Sequence, residues 1–229
     1  MSAPAADRPP LAPRLARALR PVDVAVDAAQ DGELDWEAAL VTGSFPADRP
    51  DADILDVAAS TVVGVRLAGA AFRRVSITDT VFDRCDLSGV LLGTASLSRV
   101  ELRDCRLSGL NLGGAQLTDV RLVGCRMDGA SLRMASGQHL CFEDCGMAGS
   151  DFTGATFARA RLFDCDLTGA VFSQARLDGA RLHGSTLEAI IGGGALRGVV
   201  IGSGQLLSMA MLALAAMGVR IDDDRGPPA

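Results

Sequence analysis

The chain has 229 residues, 48% of them apolar, and a formal charge of -6 from 28 carboxylates against 22 basic residues, every one an arginine. That length suits one domain with a continuous core and short flanks, and leaves little room for a second full domain. Balanced charge without lysine argues against direct nucleic-acid binding, and the longest apolar run, Leu206 to Val219, is broken by Ser208 and too short for a membrane span.

Residues 1–22 mix Pro9, Pro10 and Pro13 with four arginines and read as a flexible basic tail, not as a secretory leader. The six cysteines are accordingly assigned to a reducing cytoplasm and not to a disulfide framework. From Asp23 to Asp56 ten carboxylates stand against the single Arg49, so residues 23–58 are expected to form a solvated acidic arm. Within it Leu34, Trp36, Ala39, Leu40 and Val41 predict a short helix docked as a cap on the segment beginning at residue 59.

Residues 59–190 are dominated by a repeat. A large apolar side chain returns every fifth position from Val62 through Leu102, Leu122, Phe142 and Leu162 to Leu187, with Gly137 the single break. Two residues before each stands a second, compact column, including Ala70, Val75, Ala95, Ala115 and Ala155. Residues two apart share one side of an extended segment, but an odd period would turn alternate repeats inside out unless a bend comes after each segment. Glycine two places after the large residue, as at Gly69, Gly89, Gly109 and Gly129, suits such a bend. These glycines are spaced by twenty, as are Cys85, Cys105, Cys125, Cys145 and Cys165, so every fourth pentad meets the same surroundings and the cysteines form one inward ladder. Cys141 is out of that frame and is expected to face outward as the most reactive thiol.

Cys85-Asp86-Leu87-Ser88-Gly89, Ala115-Gln116-Leu117-Thr118-Asp119 and Ala170-Val171-Phe172-Ser173-Gln174 resemble the A-[DN]-L-x-x motif of the pentapeptide-repeat family, over roughly residues 60–190. The resemblance implies an all-β fold, a right-handed quadrilateral parallel β-helix. It also implies a sharp functional alternative, because some proteins with this repeat imitate DNA and protect DNA gyrase from quinolones.

After Leu187 the large residues come one place early, at Ile191, Ile201 and Leu206, so the frame slips across Gly192-Gly193-Gly194 and residues 191–204 are expected to form an irregular last coil. Residues 205–229 predict a C-terminal helix, from about Gly204 to Met217 behind Ser203 as N-cap, and a tail in which Val219-Arg220-Ile221 adds a last strand. Leu206, Leu207, Met209, Met211, Leu212 and Leu214 cover more than one helical face, so one stripe is expected to close the solenoid and another to join a second copy as a homodimer.

Catalytic machinery is not found. The only histidines, His139 and His183, fall on different coils and faces in this register, no nucleophile pairs with a base, and a single file of thiols does not offer the tetrahedral set that zinc requires. No cofactor is expected. DNA mimicry needs an acidic rod, whereas Asp56 to Arg197 holds fifteen carboxylates and fifteen arginines. Around Phe82, Leu102, Leu122, Phe142 and Leu162 the acids Asp83, Glu101, Asp104, Glu143, Asp144 and Asp164 are interleaved with Arg84, Arg103, Arg121 and Arg161. A second face, with Leu91, Thr94, Asn111, Ser131, Thr153 and Val171, reads as nearly uncharged and suited to a protein partner. The sequence therefore favours a rigid interaction scaffold over the gyrase-directed mimic.

Overall fold

The computed structural model describes residues 8–27, 33–45 and 51–219. Among the described residues eleven strands form one parallel sheet: β1 (Arg20–Asp23), β2 (Glu33–Glu37), β3 (Ala39–Thr42), β4 (Asp51–Ala58), β5 (Thr61–Val63), β6 (Ala71–Asp83), β7 (Leu91–Arg103), β8 (Gln116–Val123), β9 (Ser136–Gln138), β10 (Cys141–Glu143) and β11 (Arg161–Phe163), with a one-turn helix, α1 (Val24–Asp27), after β1. From Asp51 through Val171 each residue paired with the following coil meets the one twenty positions on: Leu97 with Leu117, Leu102 with Leu122, Phe142 with Leu162. The chain is thus a parallel β-solenoid, and past the named strands single bridges such as Asp151 to Val171 carry the same register.

Both apolar columns point inward. Leu102, Leu122, Leu162, Phe82 and Phe142 are buried, as are the compact residues two places before them. Each inward Leu or Phe contributes roughly 1.5–3 kcal/mol on burial. Alternation is rescued by bends in left-handed backbone, some at glycine (Gly109, φ 68°) and some at residues with side chains, including Asp79 (φ 52°) and Asp119 (φ 56°). At Gly137 the missing large residue is replaced by Leu140 from the compact column, whose side chain fills the space that a Cβ on Gly137 would need.

The solenoid starts earlier than the sequence suggests. Residues 33–42 form β2 and β3 and not a docked helix. Glu33–Glu37 pairs with Ile54–Ala58, and Leu40 and Val41 pair with Thr61 and Val62. The expected acidic arm is therefore built into the first coils, with Trp36 and Leu34 in the core. Asp31 and Asp48 of that arm, and the side chains of Asp27 and Asp51, lie outside the described residues. The frame was hidden because these coils are irregular: Arg20 pairs with Ala39, Leu34 with Leu55 and Ser44 with Arg66, steps of 19, 21 and 22.

The frame slip after Leu187 is present in the register, since Arg181 bridges Val200, a step of 19, around a 3-10 turn at Gly193–Leu196. Gly192 (φ 81°) allows it, because a Cβ there would stand 2.6 Å from the Ser173 nitrogen. Ile190, not Ile191, enters the core, and Ile191 faces out. The C-terminal helix, α2, runs Leu206–Ala216 behind a 3-10 turn at Ser203–Gln205. Ser203 does not cap it with its side chain. Gln205 stands at the helix start without capping it by its side chain; its Oε1 instead accepts from the Gly202 amide at 2.9 Å and closes the 3-10 turn. Arg220 and Ile221 of the expected last strand lie outside the described residues.

Candidate interaction surfaces

Among the described residues no group of three or more His, Cys, Asp or Glu side chains is placed to hold a metal ion. His183 sits edge-on to the Phe163 ring at 6.0 Å, and His139 Nδ1 lies 3.4 Å from Asp119 Oδ1, so the two histidines do not share a site.

The five thiols of the cysteine ladder are buried and point at the backbone of the coil before. Cys105, Cys125, Cys145 and Cys165 each direct Sγ at the carbonyl 23 residues back, at 3.6–3.7 Å, and Cys85 does the same at 3.4 Å. The column continues in other residue types. Ser185 Oγ donates to Leu162 O at 2.9 Å, and Gln205 Nε2 donates to Leu182 O and to Ser185 O, both at 2.6 Å. A short polar side chain every twenty residues thus satisfies an inward carbonyl, and the last rung ties α2 to the final coil. The neighbouring thiols of the ladder, then burial, push the Cys85, Cys125 and Cys165 thiols up.

Cys141 departs from its expected exposure: it is buried, and its Sγ donates to Glu143 Oε1 at 3.2 Å. Burial, then the Glu143 carboxylate, push its thiol up to about 12, so it is not the nucleophile its frame position suggests. It lies in a crevice between its own face and Pro9–Pro13 of the N-terminal segment.

That segment is the feature the sequence did not disclose. Residues 8–20, expected as a loose tail, run lengthwise along the solenoid over a column of bend residues. Arg8 makes a two-pronged contact with Asp119 (Nη1–Oδ1 2.6 Å, Nη2–Oδ2 3.1 Å), and the Leu11 amide donates to Asp119 Oδ1 at 3.0 Å. The Arg14 amide donates to Asp79 Oδ1 at 2.9 Å, Ala16 N to Ala59 O and Arg20 N to Ala38 O. Asp79 is also gripped by Arg99 through two contacts of 2.6 Å. The one signal in the sequence was carboxylates at bends where glycine would serve.

The charged face is partly neutralised from within, by a chain of ion pairs across its middle coils. Arg121 bridges Glu101 at 3.1 Å and Glu143 at 2.6 Å, and Arg103 pairs with Glu101 at 2.8 Å. The face read as uncharged contains one ion pair, Arg133 with Asp151 at 2.7 Å, within the bridged column Leu91, Asn111, Ser131, Asp151, Val171 and Ile191. Leu91 and Ile191 are exposed near its two ends.

On α2 the six candidate contact residues divide. Met209 and Leu212 pack on the solenoid core, Leu214 is half-buried, and Leu206, Leu207 and Met211 are exposed, Leu207 to 77%. No helix among the described residues is long and apolar enough to cross a membrane.

Family models described as a pentapeptide repeat region match residues 60–132 and 95–172, and one described as pentapeptide repeats (8 copies) matches residues 157–189. No curated protein matches the sequence. Similar solved structures include a trypsin-treated variant of QnrB1, a plasmid-mediated fluoroquinolone resistance protein, at 16% identity, 83% of this chain, 97% of that chain and a TM-score of 0.36. HetL, a pentapeptide repeat protein involved in heterocyst differentiation regulation from the cyanobacterium Nostoc sp. strain PCC 7120, matches at 16% identity, 83% of this chain, 91% of that chain and a TM-score of 0.28.

Proposed function

Proceeding from the pentapeptide-repeat family, to which this chain belongs, we propose that the protein is a non-enzymatic scaffold of the cytoplasm that works by presenting a stiff face to another protein. The observation carrying this reading is that the column from Leu91 to Ile191 offers a long, low-charge surface, while on the charged face Glu101, Arg103, Arg121 and Glu143 pair with one another instead of forming an acidic stripe. Paired charge projects little field, so partner choice falls to shape and apolar contact. Two copies join through the exposed Leu206, Leu207 and Met211 of α2, whose other stripe already closes the solenoid.

Affinity capture from the native cytoplasm, run in parallel with Leu91→Asp, tests the scaffold. A stoichiometric partner held by the wild type and lost by the variant supports it, and no stoichiometric partner overturns it. Light scattering tests the dimer, which Leu207→Asp should convert to monomer; a monomeric wild type refutes that part. The same pairing of charge speaks against imitation of DNA, and a gyrase supercoiling assay with and without quinolone is expected to show no effect of excess protein.

A further inference from the structure

In the segment from Arg8 to Leu19 the half-buried residues after Arg8 are Pro10, Pro13, Ala16 and Leu19, every third position, with exposed residues between. A three-residue repeat is that of the polyproline II helix, which rises about 3.1 Å per residue and needs no hydrogen bonds of its own. Pro9, Pro10 and Pro13 fix φ near the required value. The surface beneath has a commensurate spacing. The amides of Leu11 and Arg14, three residues apart, meet Asp119 and Asp79, two coils apart. Two coils at about 4.8 Å span about 9.6 Å, and three polyproline II residues span about 9.3 Å. An extended proline-bearing chain laid along this column therefore sets the Leu11 and Arg14 amides on bends two coils apart, the Ala16 amide reaches the next bend at Ala59, and an arginine at its head reaches the buried carboxylate of Asp119.

We propose that this bend column is a recognition groove for an extended, proline-containing peptide headed by arginine, and that the chain's own residues 8–16 occupy it until a partner segment of that chemistry displaces them. This rests on the reading of the protein as a binding rod and adds the partner's chemistry, at a face separate from the Leu91 column. Most of the bound segment is exposed, and its grip on the groove is concentrated in Arg8 and three amides, those of Leu11, Arg14 and Ala16, which suits a ligand meant to leave. Its departure would open the crevice lined by Glu101, Arg121, Cys141, Glu143 and Arg161.

Cys141 supplies the readout, because the other cysteines belong to the inward ladder. In full-length protein, the rate of Cys141 modification by dithiodipyridine is compared among wild type, Arg8→Ala and Asp119→Asn, with Cys141→Ser as the blank. Losing a charge-assisted contact should speed labelling roughly tenfold to a hundredfold in Arg8→Ala. A synthetic peptide of residues 8–16 at millimolar concentration should restore protection to Arg8→Ala and fail to protect Asp119→Asn. Asp79→Asn serves if Asp119→Asn does not fold, as judged by circular dichroism. Labelling of Arg8→Ala at the wild-type rate, or protection by a scrambled peptide equal to that by the native one, overturns the proposal. Capture through the Leu91 face would be untouched by that failure.

Discussion

At Gly137 the repeat gives up its large side chain and recovers the volume from a neighbouring column, where Leu140 stands among alanines, valines and cysteines. Core space is conserved although the pattern is not. Leu140→Ala should therefore cost about 2–5 kcal/mol, and Gly137→Leu added to it should recover most of that loss in urea unfolding. If the double variant is no more stable than Leu140→Ala, the exchange is not one of volume. The carboxylates of the groove make a second point at this scale. Burial alone would raise Asp119, yet Arg8 and the Leu11 amide hold it below the usual carboxylate range, and Arg99 with the Arg14 amide does so for Asp79. A folded value below the unfolded one of about 3.9 stabilises above that pH and is lost as pH falls through the lower folded value. Hydrogen exchange of residues 8–16 should thus be slow near neutrality and lose protection below about pH 4; equal protection on both sides would show that neither carboxylate holds the segment.

Among the elements, α2 is tied to the solenoid by one polar side chain at its start as well as by Met209 and Leu212. Gln205 ends the ladder begun by Cys85 and answers two carbonyls of the last full coil. Gln205→Ala should cost about 1–3 kcal/mol by leaving those carbonyls without this donor, with the loss seen first as exchange around Leu182 and Ser185. An unchanged exchange pattern would assign the closure to Met209 and Leu212 instead. The helix itself was legible, since an apolar run between Gly204 and Gly218 has little else to be. The strands of residues 33–42 were not, although Leu34 and Trp36 alternate with acids in a two-residue period. With coil steps of 19, 21 and 22, their frame disagreed with the regular pentads from residue 59 onward, and a dense run of carboxylates looked like solvent-facing chain.

For the whole molecule, stability accumulates along a line, since each coil contacts only its neighbours. A charge buried mid-rod should divide the solenoid, whereas one at the end should fray it. Leu122→Asp is expected to abolish soluble folded protein, while Leu196→Asp should keep the strand signal in circular dichroism and lose order only near α2. Soluble, strand-rich Leu122→Asp would contradict the continuous core.

The sequence by itself determined the solenoid, its twenty-residue coil, the inward ladder and the closing helix, because a periodic core writes each of its contacts into the spacing of residues. Only the tertiary structure decided what lies on that core. Residues 8–20 carry no period that matches the pentads, and Asp79 and Asp119 look like any polar bend residue until the two are superposed. Contacts between segments about a hundred residues apart leave no mark on either segment alone, and the crevice that Cys141 shares with Pro9–Pro13 exists because of them.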